Sequence, residues 1–440
     1  MERRSSEPQS GQPAVAPAAR RVAAVSSSAR NQLHAARPLF AALAIAMLGN
    51  GLLGTVVGIR AKLEEFPTAV TGLVMSAYYV GFLAGCALAP RLLRRTGHVK
   101  ALLGFSVLSG LSAVAYPLNT SPAAWAALRI GTGVATAGLY VVCESWLAGA
   151  GNAKTRGRLL AVYLLVGNAA WGLGQVLLRA GSPDGSVLFF IAGGLLAVAA
   201  LPLVALRPGA PPKTNVVKLR VLDLVKAAPL GVATSFVTGV GIGGILGFGA
   251  VYGTEVGMSV DRVGLLMGTA MAGSIAIQWP IGALSDRMSR RHVIIGCGLL
   301  AGIFALLAST LDPLSNGILA CMFGFTAFSF PMYSLAISHV NDALHPENVI
   351  PASAALLGIY GVGNLLGPIG TSIAIEAVGP QGFWLLAGAA FVALGVYGLY
   401  RLVKSRRLME ARHLPPLPVN ASPQAAFLIE DTAEMPTVQR

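Results

Sequence analysis

Apolar stretches close to twenty residues long recur twelve times along this 440-residue chain. They constrain its fold more than any other feature. They lie near 38–59, 69–90, 100–118, 122–147, 158–179, 186–206, 223–252, 261–284, 293–310, 315–340, 350–375 and 381–402. A helix that crosses a hydrocarbon core of about 30 Å needs roughly 20 apolar residues. Lipid offers no hydrogen-bond partner to a backbone N–H or C=O, so segments of this kind satisfy themselves as helices. The composition agrees, with 55% hydrophobic residues, only 11% charged ones and a mean hydropathy of +0.68. A soluble domain carries about twice that share of charge. The expected fold is an all-α membrane protein with twelve transmembrane helices.

Those helices fall into two related sets. A shift of 192 residues lays Val263–Arg291 on Thr71–Val99 without a gap, and Gly72/Gly264, Leu73/Leu265, Met75/Met267, Gly81/Gly273, Ala84/Ala276, Leu92/Leu284 and Arg95/Arg287 coincide. The same shift pairs Gly49 with Gly241 and Gly51 with Gly243. A duplicated chain of this kind folds as two six-helix bundles with pseudo-two-fold symmetry. The expected divisions are a disordered tail over 1–37, a first bundle over 38–206, a connector over 207–222, a second bundle over 223–403 and a disordered tail over 404–440. The connector contains RPGAPPKTNVVKLR (207–220), which breaks the apolar pattern.

Charge sets the orientation. Of the 32 Lys and Arg, 27 fall in the tails and alternate loops on one side, four (Arg60, Lys62, Arg179, Arg262) fall on the other, and Arg129 lies within a span. Basic residues are retained on the cytoplasmic side, so both termini are expected there. The net charge of +14 is then a topological signal, and no nucleic-acid partner is expected. The first apolar run starts too far from the N-terminus for a cleavable signal and is long enough to span. Cys86, Cys143, Cys297 and Cys321 all fall in spans without paired spacing, as small packing residues do.

Polar groups inside a span are costly and tend to line a cavity. In the fourth span Arg129, Thr132, Thr136 and Tyr140 share one helical face. The tenth span carries Thr326, Ser329 and Tyr333. Asn50, Thr234, Thr238 and Gln278 add hydrogen-bonding groups, and Asn168 and Asn364 each follow a Gly at a shift of 196. Each Asn reads either as a ligand contact or as interhelical glue. Arg129 has no carboxylate at its depth, since Glu144 lies about 22 Å further along the helix. Either it attracts an anionic or carbonyl-bearing solute, or it is a structural Arg bonded to backbone carbonyls or snorkelling outward.

Between the eighth and ninth spans lies GALSDRMSRRH (282–292). Its Gly282, Asp286, Arg287, Ser289, Arg290 and Arg291 resemble the loop signature of the major facilitator superfamily, with Ser289 in place of the usual Gly. Arg129 and Gly133 match a second signature, in the fourth helix. LYVVCESWL (139–147), TRGRLLAVY (155–163), GQVLL (174–178) and LLGIYGVGNLLGP (356–368) resemble the YcaD-like branch of that family. The resemblance implies a secondary transporter of the bacterial inner membrane that moves a small organic solute by alternating access. Uptake is the expected direction, and a proton-coupled drug or metabolite exporter is the second reading. The glycine-proline run of antiporters is missing from the fifth span.

In a two-bundle carrier the cytoplasmic ends must meet and part. Asp286, Arg287, Arg290 and Arg291 are therefore expected to form a latch of exchangeable ion pairs. The first-half copy has Arg94 and Arg95 but no Asp, and Glu144, near Arg156, is the candidate for the missing anion. A receptor without transport is a weaker alternative. The sequence holds no metal cluster, nucleophile constellation or phosphate-binding loop, so neither an enzyme nor a cofactor is expected. The expected partners are the solute, protons as candidate coupling ion and the lipid bilayer, with the chain acting as a monomer.

Overall fold

The computed structural model describes residues 16–148, 153–204, 221–344 and 349–411. Among them, twelve helical segments are long and apolar enough to cross a membrane. In chain order these are α1 (Ala16–Leu63), α2 (Thr68–Thr96), α3 (His98–Ala115), α4 (Pro122–Ala148), α5 (Ala153–Leu173) and α6 (Val187–Val198) in the first half. The second half holds α7 (Pro229–Glu255), α8 (Val260–Ala276, resuming as Gln278–Arg287), α9 (Arg290–Thr310), α10 (Asn316–Ser329, resuming as Met332–Asn341), α11 (Val349–Val378) and α12 (Gly382–Ala411). Short turns prolong three spans: 3₁₀ segments Tyr116–Leu118 and Gly174–Ala180 after α3 and α5, and Leu201–Val204 after α6.

Three boundaries differ from expectation. The N-terminal segment is helical from Ala16, because the Ala-rich run up to Ala36 favours helix even without an apolar face to bury. At the other end α12 continues to Ala411. A short helix, Val221–Ala227, begins in the last two residues of the expected connector and runs into the expected second bundle. The rest of both tails and of the connector lies outside the described residues.

The stretch expected as a loop is mostly helix. Gly282–Arg287 completes α8, and only Met288 and Ser289 separate it from α9. In the first-half copy Gly97 turns the chain at φ +79, donating its N–H to the Leu93 carbonyl, a conformation that an L side chain rarely adopts. Ser289 does the same job at φ −58. A non-glycine residue is therefore tolerated in the second half.

Prolines account for the interruptions of α8 and α10. Pro280 and Pro331 carry no N–H to return to Ala276 and Ala327, so each helix breaks just ahead of its proline. Elsewhere glycines set the packing distance. A Cβ on Gly133 would overlap the Tyr78 carbonyl and one on Gly81 the Ile130 carbonyl, which draws α2 and α4 backbone to backbone. The second half repeats the device where Gly273 of α8 meets Phe323 and Thr326 of α10. Likewise Gly51 and Gly174 join α1 to α5, as Gly243, Gly363 and Gly367 join α7 to α11. Small residues at these crossings substitute for the hydrophobic drive that lipid does not provide.

The two halves have matching ends. One, the basic face, carries Arg91, Arg94, Arg95 and Lys100 at the α2–α3 turn and Arg287, Arg290 and Arg291 at the α8–α9 turn. The opposite, far face is stiffened by aromatic clusters. Tyr116 stacks on Phe189 at 5.6 Å in the first half, and Tyr252 on Phe383 at 4.6 Å in the second.

Candidate functional site

The interface between the halves is built from α1 and α2 and from α5, with its 3₁₀ extension, on one side, and from α7, α8 and α11 on the other. It is tied at the far face. Lys62 at the end of α1 pairs with Glu255 at the end of α7. Arg179 Nε lies 2.9 Å from Asp261 Oδ1, joining the α5 extension to α8. The backbone N–H of Ala69, in the first turn of α2, donates to Glu376 Oε1 of α11 at 2.8 Å. One level deeper the Ser76 hydroxyl donates to the Leu365 carbonyl at 2.8 Å. Every donor of these four belongs to the first half and every acceptor to the second.

Close apolar packing continues from there to mid-depth. Gly58 faces Ala250, Gly172 faces Met271, and Leu83 of α2 fills the space above Gly361 of α11. Beyond Leu83, toward the basic face, Glu144 of α4 is exposed although it lies in a span that runs to Leu147. Asp286 is also exposed and makes no ion pair among the described residues. The halves are thus sealed on the far side and parted on the basic side.

Tyrosines fill the space between seal and opening. Tyr78, Tyr79 and Phe82 of α2, Tyr140 of α4, and Tyr333 and Tyr360 of α10 and α11 are all only partly buried. These rings stand on α2, α4, α10 and α11, and α2 and α11 pack directly against each other across the interface. Tyr140 packs edge-on to Phe82 and to Tyr163 of α5, with centroids 6.2 Å apart in both pairs. Tyr333 and Tyr360 lie 4.5 Å apart. The Tyr163 hydroxyl donates to Glu144 Oε1 at 3.4 Å.

The fourth-span face expected from the sequence is present and meets α1 and α2. The Thr136 hydroxyl donates to Asn50 Oδ1 at 3.2 Å, and the Tyr140 hydroxyl to Met47 Sδ at 3.2 Å. Thr132 bonds back to the Arg129 carbonyl at 3.0 Å. Arg129 is 6% exposed. Its Nη2 approaches Met75 Sδ at 3.5 Å, its guanidinium carbon lies 5.1 Å from the centroid of the Tyr78 ring, and its Nε has no partner. Tyr78 thus covers the charge instead of leaving it open.

Other expected residues are spent locally. Thr234 and Thr326 return their hydroxyls to the Leu230 and Met322 carbonyls at 2.7 and 2.9 Å, and both are fully buried. Asn364 donates to the Tyr360 carbonyl at 2.8 Å, with its backbone pressed against Gly243. Thr238 and Ser329 are buried with unpartnered hydroxyls. Gln278 marks the break in α8, and Asn168 is half-buried in α5.

Of the residues expected to latch the basic face, Asp286 makes no ion pair among the described residues. Arg290 pairs with Asp342 at the end of α10, at 2.8 Å, within its own half. Burial holds the Asp342 carboxyl above the usual carboxylate range, with Arg290 pulling the other way. Glu144 does not pair with Arg94 or Arg95, which are exposed. Glu144 is bonded instead by the Tyr163 hydroxyl of α5, while Arg94 and Arg95 lie on the exposed surface at the end of α2. The side chains of Arg156 and its neighbours lie outside the described residues.

Two six-helix halves with a sealed end, a parted end and a polar interior between them define a membrane transport protein. The chain belongs to the major facilitator superfamily: that family's model matches residues 39–259 and 231–429. An uncharacterized MFS-type transporter of Enterobacter sp. strain 638 is 30% identical over 81% of this chain and 93% of its own length. The MFS-type transporter YcaD of Escherichia fergusonii is 27% identical over similar shares, 81% and 93%. Among solved structures, the nucleoside transporter NupG superposes with a TM-score of 0.71 at 15% identity, covering 82% of this chain and 98% of its own. A bacterial homologue of the lysosomal transporter Spinster, in an inward-facing, unoccupied conformation, gives 0.64 at 16% identity over 84% and 95%. At those identities the likeness is one of fold.

Proposed function

We propose that this chain takes up a small organic solute across the bacterial inner membrane by alternating access, acting as a monomer with both termini in the cytoplasm. The observation that carries the reading is the asymmetry of the interface, tied at the far face by Lys62–Glu255, Arg179–Asp261 and Ala69–Glu376 and parted at the basic face around Glu144. Retention of basic residues on the cytoplasmic side makes the basic face the inner one. The described conformation then opens inward. Asp286, Arg287, Arg290 and Arg291 latch the opposite conformation, in which the inner ends close.

The solved neighbours are named for a nucleoside transporter and for a D-xylose-proton symporter. Both names support a small polar organic solute, and the second supports protons as coupling ion. An anionic or carbonyl-rich solute is supported by the unpartnered Nε of Arg129, whereas the Tyr78 ring over the guanidinium stands against it. Proton-coupled export is the second reading, favoured by Glu144, an accessible carboxylate on the path. Solute flux through the purified protein in liposomes tests transport, and its response to an imposed pH gradient separates symport from antiport. Binding of a solute without any flux would replace the transporter reading with that of a receptor.

A further inference from the structure

Basic residues rim the opening, but the exposed charge that α4 presents there, Glu144, is negative. Arg129, the cation within a span, lies under Tyr78, whereas Glu144 is exposed and accepts only the Tyr163 hydroxyl among the described residues. Around it stand aromatic faces from both halves. Tyr140, one turn deeper, packs on Phe82 and Tyr163. Tyr333, from the second half, is paired with Tyr360, whose neighbour Gly361 is covered by Leu83, next to Phe82 of the first half. A carboxylate set among ring faces in a partly dehydrated space is the arrangement that recognises an organic ammonium ion. The rings attract the cation through their quadrupoles, the carboxylate neutralises it, and neither interaction holds an anion.

We propose that the Glu144 region binds the positively charged amine or quaternary ammonium group of the solute, with Tyr140 and Phe82 supplied by the first half, Tyr333 and Tyr360 by the second, and the buried Tyr163 holding the carboxylate through its hydroxyl. Because the cage draws rings from both bundles, rocking of the halves opens and closes it. A cation also gains a driving force that a neutral solute lacks: with the basic face inside, a negative interior accumulates a monovalent cation roughly fifty-fold per 100 mV. The substrate class rests on the transporter reading only for its movement, not for its binding.

The test uses three probes that share one ring: benzyltrimethylammonium, benzyl alcohol and benzoate. Binding to detergent-purified full chain is read by calorimetry and by thermal stabilisation. The cation is expected to bind best and benzoate worst, with affinity for the cation falling as salt rises. Glu144→Gln should weaken the cation about tenfold and leave benzyl alcohol unchanged, while Glu144→Asp retains the order of the three. Tyr333→Leu should weaken the cation several-fold.

Equal or tighter binding of benzoate overturns the proposal on the wild type alone, whatever the variants do. Absence of cation binding in the wild type that appears in Arg156→Gln would show Glu144 neutralised by Arg156, and overturns it as well. Uptake into liposomes under a potassium diffusion potential separates the two layers of inference. Cation binding without uptake keeps the site and removes transport; uptake of a neutral or anionic solute without cation binding keeps transport and removes the site.

Discussion

Glu376 and Ala69 meet across the boundary between the halves, the carboxylate of one accepting the backbone N–H of the other at 2.8 Å. Ala69 stands in the first turn of α2, where the N–H groups have no partner within the helix. A carboxylate there satisfies one of them and sits at the positive end of the helix dipole. The cap comes from the second half, so it is lost whenever the halves part at this face. Together with Lys62–Glu255 and Arg179–Asp261 it gives the seal a sense: positive groups on the first half and negative groups on the second.

Loss of the seal should shift the conformational balance toward far-side opening. The cap contributes about 0.3–1 kcal/mol and a partly exposed ion pair about 0.2–1 kcal/mol. Glu376→Gln combined with Lys62→Met should therefore raise far-side access roughly three- to thirty-fold. Arg179→Gln should do less, because its pair with Asp261 is largely exposed. Labelling of Ala250→Cys, which faces Gly58 inside the seal, with a membrane-impermeant maleimide measures this. Unchanged labelling in the double variant would assign the seal to packing alone.

Close approach of α2 and α4 makes Gly133 a sensitive position. Any Cβ there meets the Tyr78 carbonyl and the Phe82 nitrogen, both backbone atoms that cannot swing aside. Gly133→Ala should cost about 1–3 kcal/mol, as overpacking does, with a lower Tm and less monodisperse protein. Gly104 and Gly358 have nothing within 4 Å of an added Cβ, and alanine there should leave Tm near the wild-type value. Equal effects at all three would mean that the crossing is more yielding than its geometry indicates.

What the sequence made legible follows the physics of lipid. Span number and spacing are readable because every backbone group must be satisfied within its own helix, and the two halves are readable because glycines at crossings recur at a fixed shift. The far-face seal was not readable: Glu255, Asp261 and Glu376 look like ordinary loop-edge acids until the fold sets them against Lys62, Arg179 and the start of α2. Tyr78, Tyr79 and Phe82 were missed because rings in an apolar run read as lipid-facing or core. Their one signal was i and i+4 spacing of Tyr78 and Phe82 on a face shared with Gly81 and Gly85. Thr234 and Thr326 were overvalued because a hydroxyl can return to its own helix, and sequence does not show which way it turns.

Asp342 should leave a pH signature. Burial raises its folded-state pKa above the unfolded value, so the folded state binds more protons between the two values. By linkage, stability is highest below the unfolded pKa and falls as pH rises through the folded one. Asp342→Asn should flatten that fall in Tm of the purified protein, at the expense of the Arg290 pair. An Asp342→Asn profile parallel to the wild type would trace the slope to another group.

Asp286 makes no ion pair among the described residues of the conformation parted at the basic face, so its removal should leave that state untouched and weaken the one in which the basic-face ends close. Asp286→Asn should slow transport about two- to fivefold, the value of one partly exposed pair, with normal insertion. A transport rate equal to wild type would remove Asp286 from the latch.

Arg129 separates two accounts of the solute. Its burial beneath Tyr78 makes a structural role the expected one in this conformation, where stacking contributes about 0.5–2 kcal/mol. Arg129→Lys keeps the charge but loses the planar face that rests on the ring; Arg129→Ala loses both. The expected outcome is a lower Tm and yield in the order wild type, Lys, Ala, with unchanged affinity for benzyltrimethylammonium among the monodisperse molecules. Tyr78→Leu should lower Tm in the same way, since it uncovers the guanidinium and removes its ring. If benzoate instead bound the wild type and lost affinity stepwise through Arg129→Lys and Arg129→Ala, the guanidinium would be a ligand reached when Tyr78 moves. The solute would then be an anion.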